Sequence, residues 1–118
     1  DRSAREGRTI YSRVVLAKPL PGKAAEALQV VSEQVERVRR TSGLMLVQVL
    51  QGESELIAIS SWRTAKDLRA YADSKLAVEF VARLAPLLAT PPEVKSFEIK
   101  LAVEGSEPLF SPDQGGEG

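Results

Sequence analysis

Two runs decide the fold: Leu44-Met45-Leu46-Val47-Gln48-Val49-Leu50 and Leu56-Ile57-Ala58-Ile59-Ser60-Ser61-Trp62. Each is rich in β-branched and large apolar residues and short enough for a strand. Between them lies Gln51-Gly52-Glu53-Ser54-Glu55, whose composition and length suit a hairpin turn. The pair therefore reads as two adjacent antiparallel strands.

Helical patterns flank this hairpin. Upstream, from Gly22 to about Arg40, Ala24, Leu28, Val31, Val35 and Val38 recur at steps of four and three and predict one apolar stripe. Arginines gather at the end of that helix, where the helix dipole favours cations, and Thr41-Ser42-Gly43 stops it. Downstream, Thr64 with Asp67 three positions on has the form of a helix start. The second helix carries Leu68 and Tyr71 or Ala72, bends near Asp73-Ser74 with Ser74 capping the continuation, and presents Leu76, Phe80, Leu84 and Leu87 until Thr90-Pro91-Pro92.

Outermost are two more strands, Ile10 to Ala17 and Val94 to Val103, the latter with Phe97, Ile99, Leu101 and Val103 on one side. The order β-α-β-β-α-β is the split βαβ pattern, so the expected fold is α+β, ferredoxin-like, with a four-stranded antiparallel sheet. The expected organisation is a flexible segment at 1–9, one domain at 10–103, and a tail at 104–118. In that tail Pro108-Leu109-Phe110 is an apolar knot that either docks on a partner or stays disordered.

A sheet with one wet face alternates apolar and polar residues. The two hairpin strands do not, and Ile10, Val14 and Leu16 oppose Tyr11, Val15 and Ala17 in the first strand. Two helices cover one face only. Roughly seven or eight sizeable apolar side chains then remain on the other, at about 1.5–3 kcal/mol each for full burial. That unused burial, over ~10 kcal/mol, rivals the whole net stability of a domain, ~5–15 kcal/mol. A second copy of the sheet, in an isologous homodimer, is the economical cover. The competing expectation is that the terminal segments fold over this face.

Composition narrows the function. Lys plus Arg and Asp plus Glu are 16 each in 118 residues, which gives no electrostatic case for nucleic acid or an anionic membrane. No apolar run approaches the roughly 18 residues of a membrane span, and no secretory signal is visible, so a cytoplasmic protein is the default. The chain opens on Asp1 rather than Met, which suits a processed or trimmed start. With no Cys and no His there is no Ser-His or Cys-His pair, no thiolate metal site and no imidazole base. No glycine-rich phosphate loop occurs. Glu26, Glu33 and Glu36 among arginines read as a solvated helix face rather than a metal site.

Trp62 stands out, because it shares a side of its strand with the small residues Ala58 and Ser60. Room left above them would let Trp62 stack on a flat ligand; alternatively it is a core plug beneath the second helix. Tyr71 and Arg83 share the second helix but lie 120° apart on a straight one, twelve residues at about 100° each. Tyr71 is packing or function alike, Arg83 suits a surface position, and Met45 and Phe80 suit the core.

The string Ser60-Ser61-Trp62-Arg63-Thr64-Ala65-Lys66-Asp67-Leu68-Arg69-Ala70-Tyr71-Ala72-Asp73-Ser74 resembles the corresponding passage of the antibiotic biosynthesis monooxygenase family. So does Leu84-Ala85-Pro86-Leu87-Leu88-Ala89-Thr90-Pro91-Pro92, and the Gly22-Lys23-Ala24 helix opening and Gly43 also fit; the resemblance spans about residues 10–103. It implies a dimeric α/β barrel in which two sheets pack face to face, with a cavity in each chain between sheet and helices. Several members of that family oxidise polycyclic phenols or quinols with O2 and no metal or flavin cofactor, the substrate's own anion reducing oxygen; others bind and degrade haem, and many have no known reaction. Haem-degrading members need a His ligand, which this chain lacks.

Carried over position by position, Trp62 matches a cavity-lining Trp and Arg83 falls near a helix arginine of some phenol oxygenases. Tyr71 sits where many members carry His, and Ala58 where some carry Asn. The expected catalytic set is Trp62 stacking on the ring, Arg83 stabilising the phenolate and Tyr71 bonding a ring oxygen. Ala58, Ser60, Met45 and Phe80 are expected to line the cavity. A non-catalytic module that binds a small aromatic ligand, or serves only for dimerisation, is the alternative.

Overall fold

The computed structural model describes residues 9–109. In chain order the elements are β1 (Tyr11–Ala17), α1 (Ala24–Val38), β2 (Leu44–Gln51), β3 (Leu56–Trp62), α2 (Ala65–Ala72), α3 (Lys75–Leu84), a 3-10 turn (Ala85–Leu87) and β4 (Glu93–Glu98). The strands form one antiparallel sheet in the order β2-β3-β1-β4. This is the expected ferredoxin-like arrangement, with the helices on one face.

The local signals explain most boundaries. The Thr64 hydroxyl accepts from the Asp67 N–H at 3.0 Å and caps α2. The Ser74 hydroxyl accepts from the Ala77 N–H and donates to the Tyr71 carbonyl, which makes the bend between α2 and α3. Gly43 has φ +87°, and a Cβ there would run into the Asp67 side chain. Only glycine suits both the left-handed turn into β2 and the close approach of α2.

Four expectations change. The line of α1 that is buried runs Ala27, Val31, Gln34, Val38, so Gln34 sits where the apolar stripe was expected and Ala24 is exposed. The second helix ends at Leu84, because Pro86 allows only a 3-10 turn beyond it. β4 stops at Glu98; one further bond, from the Ile99 N–H to the Ile10 carbonyl, uses up its partner strand. Among the described residues Leu101 and Val103 therefore pair with no strand, and both are more than four-fifths exposed.

The fourth change is a bulge in β2. Leu44 pairs with Trp62 but Leu46 pairs with Ser61, leaving Met45 as an extra residue. Leu44 and Val47 face the helices, while Leu46 faces away. The expected even alternation through Leu44, Leu46, Gln48 and Leu50 is thus broken after its first member.

The core lies between the sheet and the helices in two clusters. One gathers Val15, Val31, Leu56, Phe80 and Leu84; the other gathers Val38, Trp62, Leu68, Tyr71 and Ala77. The opposite face keeps Val14, Leu16, Leu46, Ile57 and Ile59 half-buried, with Leu50 and Phe97 exposed. Pro108 and Leu109 border a hollow on that face with Ile10, Met45 and Ser61. Residues 1–8 and Phe110 onward lie outside the described residues.

Candidate functional site

A hollow opens between the middle of the sheet and α1. Ala58 and Ser60 of β3 and Val47 of β2 form its floor, and Val31, Gln34, Val35 and Val38 of α1 form its roof. Arg13, Tyr71 and Phe80 close its sides. It offers about 30 Å³ to the centres of water-sized molecules, enough to admit water, and the atom-free space reaches about 350 Å³ when the open mouth is counted. The small side chains of Ala58 and Ser60 leave the space that the sequence suggested.

Of the expected residues, Ala58, Ser60, Tyr71 and Phe80 come together here. Trp62 stands one layer behind. It is 0% exposed, stacks on Tyr71 with ring centroids 5.0 Å apart and planes at 22°, and its indole N–H donates to the Ser60 hydroxyl at 2.9 Å. It supports the wall of the hollow without facing the space.

Two residues lie elsewhere. Met45 is the bulged residue, 52% exposed, and borders the hollow on the opposite face with Leu46 and Ser61. The bulge removes it from the expected cavity lining. Arg83 reaches across to α1 and pairs with Glu33 at the part-exposed surface of the two helices. The bend at Asp73-Ser74 does not swing it toward Tyr71, and Glu33 already neutralises its charge. Hydrogen bonds to Glu33 from Gln29 and then Arg83 hold the Glu33 carboxyl below its ordinary pKa.

Two polar residues in the hollow were not expected. Arg13 of β1 is 7% exposed and holds its guanidinium 5.5 Å from the centre of the Tyr71 ring. No carboxylate pairs with it among the described residues. Burial pulls its pKa below the ordinary arginine value, with Tyr71 acting in the other direction, yet an arginine stays charged at neutral pH. A buried cation without an anion is costly, so it marks a place where negative charge is welcome.

Gln34 is 4% exposed. Its amide N–H groups donate to the Tyr71 hydroxyl at 2.7 Å and to the Leu76 carbonyl at 3.3 Å. Its carbonyl oxygen is buried with no partner among the described residues. The signals for both residues are in the sequence. Arg13 shares its side of the strand with Tyr11, Val15 and Ala17, and Gln34 occupies the apolar line of α1 at three residues from Val31 and four from Val38.

Chemically, the recess offers a fixed positive charge, a tyrosine hydroxyl whose own proton remains free to donate, and a carbonyl acceptor, all set in apolar walls. Among the described residues no group of three or more acidic side chains could hold a metal ion. No helix among them is long and apolar enough to cross a membrane.

The solved structures that resemble this one share its fold. A protein of unknown function from Nitrosomonas europaea matches with a TM-score of 0.72 and 20% identity, over 86% of this chain and 99% of that one. A mutant form of SnoaB, a cofactor-independent oxygenase from Streptomyces nogalater, matches with a TM-score of 0.70 and 15% identity, over 81% and 98%. A conserved protein from Methanosarcina mazei Go1 matches with a TM-score of 0.72 and 17% identity, over 82% and 99%. No curated protein sequence matches the chain. The sequence model of one family, antibiotic biosynthesis monooxygenase, matches residues 10–83, more than half of the chain. With that match over β1 through α3, the chain belongs to the antibiotic biosynthesis monooxygenase family.

Proposed function

We propose that the chain is a cofactor-independent oxygenase that oxidises a phenol or quinol with O2. The observation that carries this reading is Arg13, a buried cation with no carboxylate partner among the described residues, facing a hollow otherwise walled mostly by apolar side chains. The likeness in fold to a cofactor-independent oxygenase agrees with it.

The ionised oxygen of the substrate enters the hollow between Arg13 and Tyr71, and the ring lies toward its open mouth. Arg13 and the Tyr71 hydroxyl stabilise that oxygen as phenolate, which makes the ring a better reductant. Trp62 keeps Tyr71 flat from behind. The phenolate gives one electron to O2, and the two radicals join through a C–O bond at a ring carbon ortho or para to the phenolate oxygen that carries a hydrogen. The peroxide takes up the proton released by the phenol. Loss of the hydrogen at that carbon then forms the carbonyl, breaks the O–O bond and expels hydroxide, which leaves as water. The sum is phenol plus O2 giving quinone plus water. The role first given to Arg83 passes to Arg13 in this reading.

Oxygen uptake with a panel of quinols tests it. Arg13→Met is expected to lower uptake by about 100-fold or more, in the range of removing a preorganised charge from a reacting anion. Arg83→Met should leave it within about twofold. Uptake by none of the panel, or full uptake by Arg13→Met, overturns the reading.

We propose also that two copies pair through the sheet face that the helices leave bare. Support comes from the apolar side chains of β1, β2 and β3 that remain half-exposed there.

A further inference from the structure

The Gln34 amide has only one tenable orientation. Its N–H groups are spent on the Tyr71 hydroxyl and on the Leu76 carbonyl, and a carbonyl can only accept. Turning the amide over would set two carbonyl oxygens against each other. The Gln34 carbonyl oxygen is therefore held as an acceptor, buried and without a donor among the described residues. Leaving such an acceptor unmet is costly, and native structures seldom do so without a reason.

The neighbouring groups have the opposite need. Arg13 has donors and, among the described residues, no anion. The Tyr71 hydroxyl already accepts from Gln34, so its own proton points elsewhere. Both touch the same tyrosine, Arg13 at its ring and Gln34 at its hydroxyl. One recess thus asks for an anionic oxygen and, beside it, an O–H that donates.

We infer that the recess recognises a singly ionised aromatic diol with adjacent oxygens: the ionised oxygen faces Arg13 and Tyr71, and the neutral hydroxyl donates to the Gln34 carbonyl. This rests on the proposed oxidation of a phenol or quinol and names the substrate class within it. Gln34 is then the residue that sets specificity. It rejects a ring whose second oxygen is methylated, because that oxygen can no longer donate and would face a second acceptor.

The test is binding to the full chain under argon, so that no turnover intervenes. Calorimetric titration with catechol and with its monomethyl ether, guaiacol, should show catechol binding at least about tenfold more tightly, the effect of one buried acceptor satisfied or left unmet. In Gln34→Met, of similar length and without the acceptor, that preference should fall to about twofold or less, whatever the variant does to the affinity for both compounds. Equal binding of the two compounds by the native chain overturns the inference, as does binding of neither; this measurement needs no variant to fold. A preference that survives in a folded Gln34→Met overturns it too. Oxygen uptake in air reads the other proposal separately. Selective catechol binding with no uptake by catechol or any quinol would sink the oxygenase and leave the recess's specificity standing.

Discussion

The two faces of the sheet have opposite deficits. On the helix-covered face most apolar side chains are packed and two polar ones are in want: among the described residues Arg13 lacks an anion and the Gln34 carbonyl lacks a donor. On the other face the polar pair is content, since the Ser12 and Ser61 hydroxyls bond each other at 2.8 Å, and the apolar side chains are in want of cover. An unmet polar group inside a packed layer asks for a small polar ligand. An unmet apolar surface asks for a large apolar one. The same four strands therefore carry two kinds of recognition, separated by the thickness of the sheet.

This contrast can be broken in several ways. The largest effect is expected from Trp62→Ala, which empties the wall behind Tyr71 without touching the outer face. Loss of a fully buried Trp should cost about 3–5 kcal/mol in urea titration. A cost below about 1 kcal/mol would mean that Trp62 is not the support described here. Next is Ile57→Lys, on the outer face of the central strand β3. If two sheets meet there, the lysine is buried opposite its own copy, and sedimentation should show a dimer weakened by about 100-fold or more. A native chain that sediments as a monomer at micromolar concentration removes the paired-sheet proposal altogether.

Arg13→Met sharpens the contrast from the inner side. Replacing a buried unpaired charge with an apolar chain of similar reach should raise stability by about 1–3 kcal/mol while oxygen uptake falls. Lower stability in thermal melts would mean that the guanidinium holds the fold together instead of awaiting an anion. The smallest effect belongs to Glu33→Gln, outside both faces. The native carboxyl has its pKa depressed, so its contribution to stability is present above the unfolded value, about 4.3, and is lost as pH falls through the lower folded value. Glu33→Gln should lower stability slightly at pH 7 and flatten the acid limb by the same small amount, so that the two curves converge in acid; a steep limb unchanged in the variant would assign it to other carboxylates.

Much of this architecture is legible in the residues, and the reasons for the exceptions are local. The caps at Thr64 and Ser74 and the turn at Gly43 are chemistry between near neighbours, so their spacing announces them. The hairpin at Gly52 does likewise, its N–H bonding the Glu55 carbonyl at 2.9 Å. Met45 is misplaced by its pattern because β2 is apolar on both sides: without a polar residue to mark phase, an inserted residue leaves no trace. β4 looks longer in the sequence than it is because alternation continues to Val103 while its partner β1 does not.

In the candidate site, the small floor of Ala58 and Ser60 and the placement of Tyr71 and Phe80 are within reach of periodicity and resemblance. Arg13 and Gln34 are within reach too, as polar residues in apolar lines, but they lie on β1 and α1, away from the second helix that the resemblance singles out. Arg83 misleads because its ion pair with Glu33 joins residues 50 apart in the chain, a distance no local spacing reports.

The bulge at Met45 also bears on how this chain is to be set beside its distant kin. Residues before and after it are out of phase by one, so Leu44 and Leu46 look toward opposite sides although an even step separates them. At 15–20% identity, an alignment run through β2 without a break can match an inward residue to an outward one. Position 45 is where a gap belongs when the relative's strand is regular. Placed there, it keeps Val47 and Val49 in register with the helix-facing side of the sheet, the side on which the hollow opens.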